Sequence, residues 1–333
     1  MVTRRSGNGT SLSRREVIAL GVGALTVAVV PAALRSRPRL VRRTVPLMGT
    51  LAEIAVVADA DPARAQAAID AALDELAAVE RAMTRFSPAS DVGRANAGAA
   101  VEAVTVSRGT AAVLREALAW AEASDGAFDP CIGRVVELWD VAHRTAPPAP
   151  LAVRRLARRR FYRHLDVDTW RGRPAVRFTD AEVALDLGGI ACGFGVDRAV
   201  RALRRHGVDR GLVNVGGDIY ALGASPEGDA WQVGIQSPED PARVIARVDV
   251  LDGAIATSGD YMQFFVYRGA RYHHLLDPAT AAPRRTPMHS VTVTAATCLV
   301  ADAATTAVFG MGAQDAMRLL GSSAAGAEVV HRA

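Results

Sequence analysis

Between Leu185 and Asp197 the chain reads LDLGGIACGFGVD, with four glycines, two carboxylates and a cysteine in thirteen residues, and then runs into helical periodicity. Glycines admit left-handed backbone and let a ligand or a second backbone come close, because no Cβ stands in the way. Glycines ahead of a helix also present unpaired N–H groups and the positive end of the helix dipole, a common phosphate cradle. Asp186 inside the turn would repel a phosphate, so it points to a ribose, a ring N–H or a metal. The same residues equally suit a plain strand-to-helix turn.

The 333 residues are enough for one large or two ordinary domains with an ample core. All 39 basic residues are Arg, which excludes lysine nucleophiles and Schiff bases. The positive balance is local. Residues 1–45 hold nine Arg against one acid, Glu16, a net of +8; the remainder holds 30 Arg against 34 acids, a net of −4. A mildly acidic body gives no electrostatic support to nucleic-acid binding. The basic run Arg154–Arg163 reads as a solvated helix face or loop.

The excess charge belongs to a leader. Arg14-Arg15 precedes an apolar run from Val17 to Ala33, the pattern of a Tat-type export signal followed by a linker. About 17 apolar residues are also barely enough for a single membrane anchor. The expectation is an exported, extracytoplasmic protein that meets the membrane only through residues 1–45, with the folded domain spanning 46–333. Cys131, Cys192 and Cys298 are too few and too far apart for a zinc site or a disulfide framework.

Periodicity predicts a strand over Leu51–Val57 and, after an Asp61-Pro62 cap, a helix to Met83. Further helices are expected over Ser107–Ser124 and Phe194–His206, and another near Asp302. Strands are expected at 212–215, 231–235, 246–251, 262–267 and 290–295. Helices gather early and strands late, which favours α+β over a doubly wound parallel sheet.

Several turns carry candidate chemistry. Gly126-Ala127-Phe128-Asp129-Pro130 closes a helix, and Asp-Pro most often satisfies local backbone. Val213-Asn214-Val215-Gly216-Gly217-Asp218 is a close ligand approach or a β-bulge. Ala256–Tyr261 and His273-His274-Leu275-Leu276-Asp277-Pro278 form two more turns, and the His pair is a candidate for acid–base work. Asp302 and Thr306 stand four apart; on a helix they share a face and suit a hard cation, although spacing alone favours Asp302 as an N-cap.

Taken in order from Met48-Gly49-Thr50 to Phe309-Gly310, these segments resemble the ApbE family of FAD:protein FMN transferases. The resemblance implies an α+β, T-fold-like architecture with FAD between the helical part and a mainly antiparallel β half. It places Met48, Phe86, Ala127, Phe128, Asp129, Asp186, Cys192 and Leu275 at FAD-contact positions. It makes Asp302, Thr306 and the Gly189 carbonyl ligands of Mg²⁺, and so replaces the N-cap role for Asp302. The implied reaction moves FMN from FAD to a Thr hydroxyl in a short motif of an acceptor protein and releases AMP. His274, with Asp277, is the candidate for taking the Thr proton.

Five positions depart from the family pattern. Cys192 stands where Lys or another polar residue is usual, Phe86 where Tyr is usual, and Cys131 where Thr is usual. Asp277-Pro278-Ala279-Thr280-Ala281 replaces D-P-R-T-G, losing an Arg and a Gly. Competing readings are hydrolysis of FAD to FMN and AMP, flavin binding without turnover, and flavin-based redox chemistry, for which no hydride-donor site is visible.

Overall fold

Alternation of apolar residues builds a sheet that is buried on both faces. The computed structural model describes residues 39–58, 62–240, 242–321 and 326–331. The leader and the Asp61 cap lie outside the described residues. Among those residues no helix is long and apolar enough to cross a membrane.

In chain order the elements begin with β1 (Arg39–Leu47), β2 (Thr50–Ala58), α1 (Pro62–Met83), α2 (Asp91–Gly98), β3 (Val104–Thr105) and α3 (Arg108–Ala123). Next come α4 (Gly133–Trp139), α5 (Pro150–Leu156), a 3-10 turn (Phe161–His164), β4 (Leu165–Trp170), β5 (Arg173–Phe178) and α6 (Ala191–Arg205). The β-rich part holds β6 (Gly211–Val215), β7 (Asp218–Leu222), β8 (Trp231–Gln236), β9 (Val244–Val250), β10 (Gly253–Gly259), β11 (Phe264–Tyr267) and β12 (Ala270–His273). It continues through β13 (Leu276–Asp277), β14 (Ala282–Pro283), β15 (Met288–Ala295), α7 (Cys298–Val308), α8 (Ala313–Leu320) and β16 (Gly326–His331).

Seven strands form the main sheet in the order β1-β2-β6-β7-β10-β15-β16, antiparallel at every pairing. Ile54, Val56, Val213, Val215, Ala254 and Ala256 face α1 and α6, where Ile69, Leu76, Val196 and Leu203 meet them. Ala55, Val57, Leu212, Ile219 and Ile255 face the other way, beneath Trp231, Val233 and Val250 of the β8–β9 ribbon. Each buried Val, Ile or Leu contributes about 1.5–3 kcal/mol. A one-residue slip would exchange the two faces, so packing holds the register.

A second core gathers α2, α3, α4 and the 3-10 turn around Trp120, Phe128, Trp139 and Phe161. Helix α7 is the wall between the cores: Cys298 and Ala301 pack into the sheet cluster, Ala303, Ala304, Ala307 and Val308 into the other. That position fixes the helix on which Asp302 and Thr306 stand.

The α+β expectation holds, with several local differences. Arg39–Arg43, expected as linker, pairs with β2 as strand. Ala256–Gly259, expected as a turn, is the inner strand β10, because Ala254 and Ala256 complete the helix-facing row. Helix α6 starts at Ala191 rather than Phe194, so Cys192 and Gly193 are helical. Helix α7 starts at Cys298 with the Thr297 side chain capping Val300 N, so Asp302 lies inside the helix and is not its cap.

Candidate functional site

Two residues join β1 to β2, Met48 at φ +56° and Gly49 at φ +72°, the left-handed pair a tight hairpin needs. The Met48 amide donates to Glu80 Oε1 of α1 at 2.8 Å. Its sulfur reaches the start of α6: a Cβ on Gly195 would lie 3.2 Å from Met48 Sδ.

The glycine-rich segment is glycine-rich because α6 enters against α7. A Cβ on Gly189 would stand 2.8 Å from Thr306 Oγ1, and one on Gly193 would stand 2.8 Å from Asp302 Cβ. Real Cβ atoms do not come that close, so both contacts require glycine. The Gly193 amide donates to Asp302 Oδ2 at 3.0 Å. Gly189, Asp302 and Thr306 are therefore brought together.

Asp302 is 6% exposed. Burial pushes its carboxyl up to about 7, with the Asp197 charge adding to the shift. Asp218, also pushed up by burial and then by Asp302, is delivered by the β6–β7 hairpin. Gly216 (φ +63°) and Gly217 (φ +103°) make that two-residue turn, and Asn214 Oδ1 accepts the Gly217 amide at 3.0 Å. VNVGGD is thus a hairpin that aims a carboxylate. Burial and the charges of Asp218, Asp302 and Glu80 push the Cys192 thiol well above its ordinary value, so it stays neutral. Among the described residues no guanidinium pairs with Asp302 or Asp218. Crowded buried carboxylates favour a proton or a cation. Asp302, Thr306 and the Gly189 carbonyl are hard oxygen donors, which fit Mg²⁺ and leave its other positions to water or phosphate.

Asp186 has two jobs. Its Oδ1 accepts the Gly188 amide at 2.8 Å, and its Oδ2 pairs with Arg85 Nε at 2.9 Å. The Arg85 guanidinium lies 4.3 Å above the ring of Phe86, which is 80% exposed. Sequence reasoning singled out Phe86 and Asp186 but missed the Arg between them in space.

Phe128 and Asp129 are braces. Phe128 is in the second core. Asp129 Oδ1 accepts the Cys131 amide at 2.8 Å and Oδ2 the Tyr162 amide at 3.1 Å, while burial pushes the carboxyl up to about 7. The Ala127 carbonyl accepts from Arg284, a buried guanidinium that also donates to the carbonyls of Ala307 and Phe309 at the end of α7. Nothing in the Pro283-Arg284-Arg285 run distinguishes this buried Arg from a surface one.

His273 ends β12 and donates Nε2–H to the Arg284 carbonyl at 2.9 Å. The next residue, His274, sends both its backbone N–H (3.0 Å) and its Nδ1 (3.3 Å) to the Gln263 carbonyl. A carbonyl only accepts, so Nδ1 carries the proton and Nε2 is the ring's acceptor. Burial pushes the imidazole down to about 4, so it is neutral near pH 7. Leu275 is half-buried against the second core. Asp277 does not reach His274: its oxygens take the Ala279 amide at 2.9 Å and the Thr280 hydroxyl at 3.0 Å, holding the turn instead. The two halves of the site meet where Ser258 Oγ, near the end of β10, donates to Thr305 Oγ1 of α7 at 3.0 Å.

The profile of the ApbE family matches residues 48–331. The chain belongs to the ApbE family. The FAD:protein FMN transferase of Treponema pallidum (strain Nichols) is 36% identical over 302 residues, covering 86% of this chain and 83% of that protein. The FAD:protein FMN transferase of Vibrio cholerae (strain O395) is 32% identical over 276 residues, covering 82% and 81%. Among solved structures, the ApbE protein of Thermotoga maritima aligns with a TM-score of 0.78 at 29% identity, covering 88% of this chain and 97% of that one. The flavin transferase ApbE from Vibrio cholerae aligns with a TM-score of 0.74 at 28% identity, covering 89% and 97%.

Against this ApbE frame, the Cys192 departure leaves a neutral thiol among three carboxylates. The final Ala of D-P-A-T-A, Ala281, keeps the backbone that glycine would allow, at φ +52°, and its carbonyl accepts Trp139 Nε1 at 2.7 Å.

Proposed function

We infer that this chain is a flavin transferase that, like the relatives whose name states it, moves FMN from FAD to a protein. The observation that carries the reading is the α6–α7 crossing, where Gly189 leaves room for Thr306, and Gly193 for Asp302 and the Cys298 backbone, against the glycine-rich turn. We further propose that Mg²⁺ is held by Asp302, Thr306 and the Gly189 carbonyl, and that the acceptor is a Thr hydroxyl. The carboxylates supply acceptors and no cation, so the diphosphate of FAD needs an added positive charge to lie there. When bound, Mg²⁺ neutralises the diphosphate and the charge that develops on departing AMP.

The chain's own residues supply the rest. Met48, Phe86 and Leu275 offer apolar surface to the flavin, and Asp186 is set by Arg85 to accept from a ribose hydroxyl or ring N–H. The acceptor hydroxyl attacks the FMN-side phosphorus, and its oxygen–phosphorus bond forms as the bond to the bridging oxygen breaks. AMP leaves with that oxygen, and FMN remains on the Thr as a phosphoester. His274 Nε2, neutral and fixed in its tautomer, takes the hydroxyl proton. Arg14-Arg15 and the apolar run after them support export, with the enzyme acting outside the cytoplasm.

Incubation with FAD, Mg²⁺ and a Thr-containing acceptor domain tests the reading. Transfer yields flavin fluorescence on the acceptor in a denaturing gel, together with AMP. AMP without labelled acceptor would assign hydrolysis, and bound FAD without either product would remove both reactions. Fractionation of cells that carry the full chain tests export.

A further inference from the structure

We propose that Asp260 is a positioning residue for flavin transfer, its buried carboxylate fastening the loop whose Gln263 carbonyl holds His274. Resting on the flavin-transfer reading, it adds a residue outside both the metal cluster and the His274–Leu275 segment.

Asp260 follows the last residue of β10, and its side chain is only 9% exposed. Its Oδ1 accepts from Arg271 Nη1 at 3.0 Å and its Oδ2 from His289 Nδ1 at 2.8 Å. Its amide donates to the His289 carbonyl at 3.0 Å. Arg271 lies on β12, three residues before His274, and His289 on β15. One carboxylate thus clamps the start of the 260–263 loop to β15 on one side and, on the other, to β12, the strand that leads into His274. At the far end of that loop the Gln263 carbonyl takes both N–H groups of His274. If the loop moves, the tautomer that leaves Nε2 as acceptor is no longer enforced.

An ion pair whose carboxylate is buried contributes little net stability compared with apolar packing, because desolvation offsets the attraction. Its better-attested use is to specify one arrangement, and the arrangement specified here is that of a candidate base. The Asp260 charge also acts on His274 directly, favouring its protonated form against burial. The His–carboxylate pairing expected for His274 and Asp277 is found instead between His289 and Asp260.

The test compares the full chain with Asp260→Asn and Asp260→Glu. Asn keeps an acceptor but loses the charge that holds Arg271. Expected for Asp260→Asn is a fall in kcat on the order of tenfold to hundredfold, the cost of a misplaced group. The KM for FAD and FAD binding by flavin-fluorescence quenching stay unchanged, and Asp260→Glu recovers part of the rate. Imidazole nitrogen NMR, with His274→Gln used for assignment, should show Nδ1–H alone in the unaltered chain and mixed tautomers in Asp260→Asn. An unaltered His274 tautomer in Asp260→Asn overturns the proposal, as does a loss of FAD affinity in parallel with Tm. The NMR arm needs no turnover. If the unaltered chain transfers no flavin while the His274 tautomer still depends on Asp260, the functional reading fails and the positioning role stands.

Discussion

The α6–α7 crossing and the 260–284 segment both hold side chains of the proposed site, but by different physics. At the crossing, precision comes from what is missing: Gly189 and Gly193 let backbone meet Thr306 and Asp302, and any Cβ would occupy that space. In the 260–284 segment precision comes from polar partners: Asp260 with Arg271 and His289, and Gln263 with His274. The crossing even contrasts with Ala281, where a Cβ is tolerated in left-handed backbone. A steric fit fails abruptly when an atom is added, whereas a polar clamp degrades by degrees when a charge is lost.

The sharpest way to break the contrast is Gly193→Ala. The added methyl meets Asp302 Cβ and the Cys298 backbone, and overpacking of this kind costs about 1–3 kcal/mol. Thermal unfolding should shift down by several degrees and Mg²⁺-dependent transfer should be lost with it. An alanine variant with unchanged Tm and full activity would show that the crossing is not sterically set.

Asp302→Asn should separate site from fold. Transfer should fall by at least about a hundredfold, the scale of a missing electrostatic group. Metal-free stability should instead rise at neutral pH. With the Asp302 carboxyl raised to about 7 when folded, against an ordinary value near 3.9, the acid's stabilising contribution is full below about pH 4 and lost as pH climbs to 7. Melting curves from pH 4 to 8, with and without Mg²⁺, check this: the metal should raise the Tm of the unaltered chain and not that of the variant.

On the polar side, His274→Gln should lower kcat about 10²- to 10⁴-fold, the usual contribution of a general base, with FAD binding retained. A base lowered to about 4 gives a rate that is level from pH 6 to 8 and declines only below about pH 5. Its stabilising contribution has the opposite sign to that of Asp302: full above the unfolded value near 6.5, and lost as pH falls through 4. A pH–rate profile rising around 6.5 would contradict the assignment.

The smallest effect is expected for Ala281→Gly. Left-handed backbone costs a non-glycine residue roughly 1–2 kcal/mol, partly offset by the greater freedom of unfolded glycine. A gain of about 0.5–1 kcal/mol in denaturant unfolding is expected, with no change in the KM for FAD.

Some of this was readable without coordinates. The helices over 62–83 and 107–124 are close to α1 and α3, because their apolar spacing is long and regular. That Asp302 and Thr306 stand at i and i+4 of one helix was legible from their spacing. Strand β10 was not legible, since Ala256-Thr257-Ser258-Gly259 has turn-like composition and becomes a strand only because two neighbours pair with it. Arg284 and Arg85 were missed because an arginine buried on carbonyls or poised beside Asp186 has the same letter as a solvated one. Asp277 was mis-partnered for a related reason: closeness in sequence to His274 does not outweigh two nearer donors in its own turn.

The sequence by itself determined the α+β class, the composition of the glycine turn and the residue types available for chemistry, because these follow from local periodicity and side-chain identity. Only the tertiary structure decided that LDLGGIACGFGVD is glycine-rich to admit a second helix, that Cys192 is a neutral thiol among carboxylates, and that the carboxylate clamping the His274 loop comes from Asp260. Those outcomes depend on which distant atoms share a buried space, where a contact of 2.8 Å or an unscreened charge decides the matter and no spacing along the chain records it.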